Sequence, residues 1–105
     1  MKYAKIAING TGDEVVISGI AGKKLRILDY IVASGNNAVL TWKSSGGTEL
    51  SGQMHIAANG NLVAVGGYQT PAGMFGLFET LSGEGLLLNS SHACGGHLTY
   101  QEISV

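Results

Sequence analysis

Seventeen glycines against a single proline, set singly or in pairs between short apolar runs, limit what this chain of 105 residues can become. Glycine inside a helix costs about 1 kcal/mol relative to alanine, and it interrupts almost every window long enough to hold one. The glycines follow no three-residue period, which excludes a collagen-type helix. They fall where tight turns need positive φ. The pattern predicts many short strands joined by turns.

The apolar spacing agrees, following a period of two rather than 3.6. Strands are expected at 3–8, 14–18, 24–34, 38–43, 53–57, 61–65, 75–79, 85–89 and 96–105. Turn clusters such as Asn9-Gly10-Thr11-Gly12-Asp13, Gly35-Asn36-Asn37 and Asn59-Gly60 separate them. The stretch 66–74, which contains Pro71, reads as a longer loop. The expected fold is all-β: one domain over residues 1–105, an antiparallel β-sandwich or jelly roll of about eight strands.

The longest run, 24–34, carries apolar residues on both sides of a simple alternation. Leu25, Ile27, Ile31 and Ala33 fall on one side, and Leu28, Tyr30 and Val32 on the other. Such a strand is expected to be covered on both faces. In a domain this small the second cover is expected from another copy of the chain. The predicted seam consists of Leu25, Ile27, Leu28, Tyr30, Ile31 and Val32.

Charged residues make up only 12 % of the chain, about half of the usual ~25 %. A surface so poor in charge suits a chain partly buried against others. The net charge of -1 offers nucleic acid or anionic lipid no attraction. Lys23, Lys24 and Arg26 read as a solvated turn, and the aromatics are not interleaved with basic residues as a base-stacking platform requires. No apolar run approaches the ~20 residues of a membrane span. Met1-Lys2-Tyr3-Ala4-Lys5 leads directly into an alternating strand without an apolar leader, so folding in a cytosol is expected.

Residues capable of chemistry are sparse. Cys94 is the single cysteine and is expected to be a free thiol, buried or facing a seam. His92, Cys94 and His97 are close in sequence but lack the ligand number and spacing of a zinc site; no metal or cofactor is expected. Glu79 and Glu84 flank the turn Leu81-Ser82-Gly83. Paired carboxylates serve glycoside hydrolysis, but beside a tight turn they read as solvated. No serine or cysteine sits in a nucleophile motif, and Gly46-Gly47-Thr48 lacks the lysine of a phosphate loop. An enzyme is not expected. Trp42, beside Lys43, is expected in a core or seam rather than as a surface sugar platform.

Four segments carry a resemblance. Ala21-Gly22-Lys23-Lys24-Leu25-Arg26-Ile27-Leu28, the stretch from Trp42-Lys43-Ser44-Ser45 through Gly52, and Gly83-Glu84-Gly85-Leu86-Leu87-Leu88-Asn89 resemble small virion proteins of tailed bacteriophages. Gly95-Gly96-His97-Leu98-Thr99-Tyr100-Gln101-Glu102-Ile103, near the C-terminus, is the most specific. The resemblance implies a β-sandwich or jelly roll, often a homotrimer, without enzymatic activity. It implies a place on the virion as a capsid decoration (cement) protein bound to the major capsid protein, or as a tail- or fibre-associated adhesion module. Capsid contact is expected through Met1, Lys2, Tyr3 and Lys5, a terminal strand that a neighbour's open sheet edge could accept. The loops at 44–52 and 66–74 are expected to take part in either role.

Overall fold

A computed structural model of the chain describes residues 1–66, 69, 70, 73, 74 and 76–105. Its strands are β1 (Lys2–Ile8), β2 (Gly12–Ile17), β3 (Lys23–Ser34), β4 (Ala38–Ser44), β5 (Met54–Ile56) and β6 (Gly60–Val65). They continue with β7 (Gln69–Thr70), β8 (Gly73–Met74), β9 (Phe78–Glu79), β10 (Leu86–Ser90) and β11 (Cys94–Ser104). Phe75, expected to open a strand, lies outside the described residues, as do Gly67, Tyr68, Pro71 and Ala72 of the loop 66–74.

Two antiparallel sheets pack face to face. The front sheet has the order β1-β11-β3-β6, with β9 also pairing β3; the back sheet has the order β2-β10-β4-β5. The first strand pairs with the last, β2 with β10, β3 with β6 and β4 with β5. This nested pairing, in which the chain passes repeatedly between sheets, is a jelly roll. β7 and β8 pair only with each other.

The core lies between the sheets. The front sheet contributes Ile6, Ile8, Leu25, Ile27, Tyr30, Val32 and Leu98; the back sheet contributes Ile17, Ala38, Leu40, Trp42, Ile56, Leu86 and Leu88. Tyr30 meets Trp42 edge-on at 5.1 Å between ring centroids, and Phe78 approaches Trp42 from 6.2 Å. The Tyr30 hydroxyl donates to Met54 Sδ at 3.3 Å. Trp42 is fully buried, so it is no sugar platform. Among the described residues its Nε1–H has no hydrogen-bond partner, a cost of about 1–3 kcal/mol that close aromatic packing must offset.

A β-bulge in β3 overturns the reading of a strand covered on both faces. Thr99 pairs with Asp29 and Tyr100 with Ile27, so Leu28 has no partner on β11. The extra residue shifts the phase of the alternation. Leu25 and Ile27 point inward before it, and Tyr30 and Val32 point inward after it. β3 therefore has one apolar interior face, and its apparent second face is the same face resumed one residue late. The far-side partner of β3 changes at the same place, from β6, ending at Asp29↔Val65, to β9, beginning at Ile27↔Phe78. Gly66 N–H donates to the Leu28 carbonyl at 2.9 Å and Leu77 N–H to the Ile27 carbonyl at 2.8 Å, so the bulge leaves neither carbonyl unpaired.

Gly96 holds the centre of the front sheet, with φ at 155°. A Cβ there would run into the Ile31 carbonyl of the neighbouring strand. Gly96→Ala is expected to lower stability by about 1–3 kcal/mol, the cost of overpacking a filled site, as a lower urea midpoint at unchanged slope.

Candidate functional site

The predicted seam residues are interior. Leu25, Ile27, Leu28 and Val32 are fully buried within one chain, and Tyr30 nearly so. They are not available to a second copy: Leu25, Ile27, Tyr30 and Val32 belong to the core between the sheets, and Leu28, the bulge residue, is itself buried. Ile31 is the exception: half-buried, it points outward.

The surface that remains open is the outer face of the front sheet. Residues paired directly across antiparallel strands share a face, so the register defines it row by row. One row runs Tyr3, Thr99, Asp29, Val65; the next Lys5, His97, Ile31, Val63; the third Ala7, Gly95, Ala33, Asn61. Tyr3 and Val65 are each 78 % exposed and Val63 61 %. Asp29, Ile31, Val63, Val65 and His97 line a shallow depression on this face. Small side chains fill the third row from Ala7 to Ala33, which leaves it flat. Strand spacing and rise give the face a projected area on the order of 400 Å², comparable to the largest apolar patch of an ordinary monomer, about 300–600 Å².

The contact strand expected at the N-terminus has a different status from a free arm. β1 is paired with β11 along its whole length, from Lys2↔Tyr100 to Ile8↔Cys94. Lys2 Nζ also reaches Glu102 at 3.0 Å, which raises the lysine's pKa. Lending this strand to a neighbour would strip the cover from Leu98, so Met1, Lys2, Tyr3 and Lys5 can make contacts only from their place in the sheet. Met1, Tyr3 and Lys5 are exposed there, and among the described residues the outer edge of β1 has no strand beside it.

The groups considered for chemistry hold the fold instead. Glu79 forms ion pairs with Arg26 at 2.7 Å and Lys24 at 3.9 Å. Glu84 Oε1 accepts from the Ser44 hydroxyl at 2.6 Å and from Gly46 N–H at 2.8 Å, and both bonds hold its carboxyl below the ordinary range. Ser44 Oγ also accepts from Leu81 N–H at 3.1 Å, and Thr80 Oγ1 accepts from Leu25 N–H and donates to the Glu84 carbonyl, both at 3.0 Å. The loop at 44–52 is thus pinned to the turn at 80–85 at its start. It is pinned again where Ser51 Oγ accepts from Trp42 N–H at 2.9 Å. Asp13 accepts from Asn89 Nδ2 at 2.7 Å and pairs with Lys43 at 3.2 Å, which holds it low as well.

His92 sits in the β10–β11 turn beside Ser91, His97 on the outer front face and His55 on β5. Cys94 packs partly against the core, and burial pushes its thiol up. Among the described residues no three His, Cys, Asp or Glu side chains gather as a metal site would require. Sequence reading did not single out His97, Ile31, Val63 and Val65 as one surface. The signal for it was the pairing of β3 with β11 and β6, which no single strand reveals.

Comparison with models of known protein families, with curated proteins and with solved structures finds no match for this chain.

Glu84 and Asp13 have ordinary values of 4.5 and 3.8, and both are lowered in the fold. Their stabilisation is complete above those ordinary values and is lost as pH falls through the lower folded ones. Acid unfolding followed by circular dichroism is expected to show this loss below about pH 4.5. Glu84→Gln, which keeps an acceptor for Ser44 and Gly46, is expected to flatten that acid limb; an unchanged limb would show that the carboxylate's charge plays no part.

Proposed function

We propose that this chain is a structural protein that assembles as a homotrimer and decorates the outside of a repeating protein shell. The observation that carries this reading is the open outer face of the front sheet, whose three rows are apolar or small at most positions and, among the described residues, are covered by no other element of the chain. Burying such a face against other chains is favourable at about 25 cal/mol per Å² of apolar surface. The cost of association is offset further when several linked copies bind a lattice together.

The location on a virion, as a capsid decoration protein on the major capsid protein, rests on the sequence resemblance. The chain would be made in the host cytoplasm and bind the closed shell rather than its free subunits. Binding only the assembled shell stabilises it by mass action. The exposed part of β1, with Met1, Lys2, Tyr3 and Lys5, is the proposed shell contact. Its open outer edge can pair with an extended segment of the capsid protein.

Light scattering at micromolar concentration is expected to give three times the 10.8 kDa chain mass; a stable monomer would remove the basis of the proposal. Particles lacking the protein are expected to form but to break at lower temperature, and added protein to restore them. Protein that never binds shells but coats host cells would instead establish the adhesion role.

A further inference from the structure

We infer that the outer face of the front sheet is the seam between copies, in which Lys5 of one copy pairs with Asp29 of the next. This deepens the assembly proposed above and rests on it. Within its three rows the face offers one fixed positive charge and one negative charge, on the two strands that flank β11; beyond them Lys24 and Arg26 pair with Glu79. Lys5 lies in the row of His97 and Ile31; Asp29 lies in the row of Tyr3 and Val65. Their backbones are separated by two strand spacings and two residues of rise, about 12 Å. Among the described residues neither takes part in an ion pair within the chain, whereas Lys2, Lys24, Arg26 and Lys43 all do.

Two opposite charges too far apart to satisfy each other, on an otherwise apolar face, are the pattern a second copy of the same chain fits. In a trimer each copy gives its Lys5 to the Asp29 of one neighbour and its Asp29 to the Lys5 of the other, which closes a ring. An apolar partner of another kind would leave both charges desolvated and unpaired, which is costly. Asp29 is already oriented for such a contact, since its Oδ1 accepts from the Thr99 hydroxyl at 2.6 Å and leaves Oδ2 for the incoming amine. The projected face of about 400 Å² is roughly half of the ~800 Å² per partner of a standard interface. At that size a correctly matched charge pair sets register and excludes wrong pairings.

Charge reversal tests the seam. Lys5→Glu and Asp29→Lys are each expected to weaken self-association at least tenfold in sedimentation, because each puts like charges in contact. The double variant is expected to recover to within about threefold of the parent, because the pair is rebuilt with its signs exchanged. Asp29→Asn, which keeps an acceptor for Thr99, separates lost pairing from lost folding and is also expected to weaken association. Single variants that associate like a parent that itself assembles, or a double variant no better than the singles, would overturn the pairing and leave assembly standing. A parent chain that stays monomeric throughout would overturn both.

Discussion

The ladder between β3 and β11 is the constraint on which the other features depend. It runs from Gly95↔Ala33 to Ser104↔Lys23 and forms the middle of the front sheet. A strand that long, with an unbroken alternation, would present a single register to the core. The bulge at Leu28 divides it in two. On one side of the bulge Leu25 and Ile27 join the core; on the other Tyr30 and Val32 do, with Tyr30 meeting Trp42 of the back sheet edge-on. The bulge also lets the far side of β3 accept two partners in succession, β6 and then β9. Bulges re-aim side chains in this way, and here the re-aimed residues are Asp29 and Ile31, which become part of the outer face.

The sandwich was legible in the sequence because its signals are local. Glycine placement marked the turns, and period-two alternation marked β1, β3, β4, β6 and β11 to within a residue or two. The bulge was not legible. A slip of one residue in an apolar run looks the same as a strand buried on both faces, and Leu25, Ile27, Leu28, Tyr30 and Val32 were therefore assigned to a seam when they form an interior. Sheet membership was equally hidden. Asn59-Gly60 is a strong hairpin signal, and Asn59 does adopt φ of 64°, yet β5 and β6 belong to different sheets. The turn serves a crossing between layers instead of a hairpin.

The outer front face was hidden for the same reason. Its rows are assembled from four strands far apart in sequence, and only the pairing register places Tyr3 beside Thr99 or Val63 beside Ile31. Each strand by itself contributes a modest set of outward residues. Together they form a surface of mostly apolar or small side chains, in a chain whose other charges are mostly engaged locally: Arg26 and Lys24 with Glu79, Lys43 with Asp13, Lys2 with Glu102. The low charge content thus has a structural distribution. Most of the charge there is stitches strands and loops together, and in the three rows of the outer front face Lys5 and Asp29 stand apart from those ion pairs.

The claim that this face, and not the β3 interior, joins copies of the chain is tested most directly by placing two charges in it. Val63→Lys with Val65→Lys alters side chains that stand in solvent and touch no core position. Sedimentation of the double variant is expected to show a monomer whose thermal unfolding matches that of the isolated parent chain. A variant that keeps the parent's assembled mass would contradict the account and move the association surface elsewhere on the jelly roll.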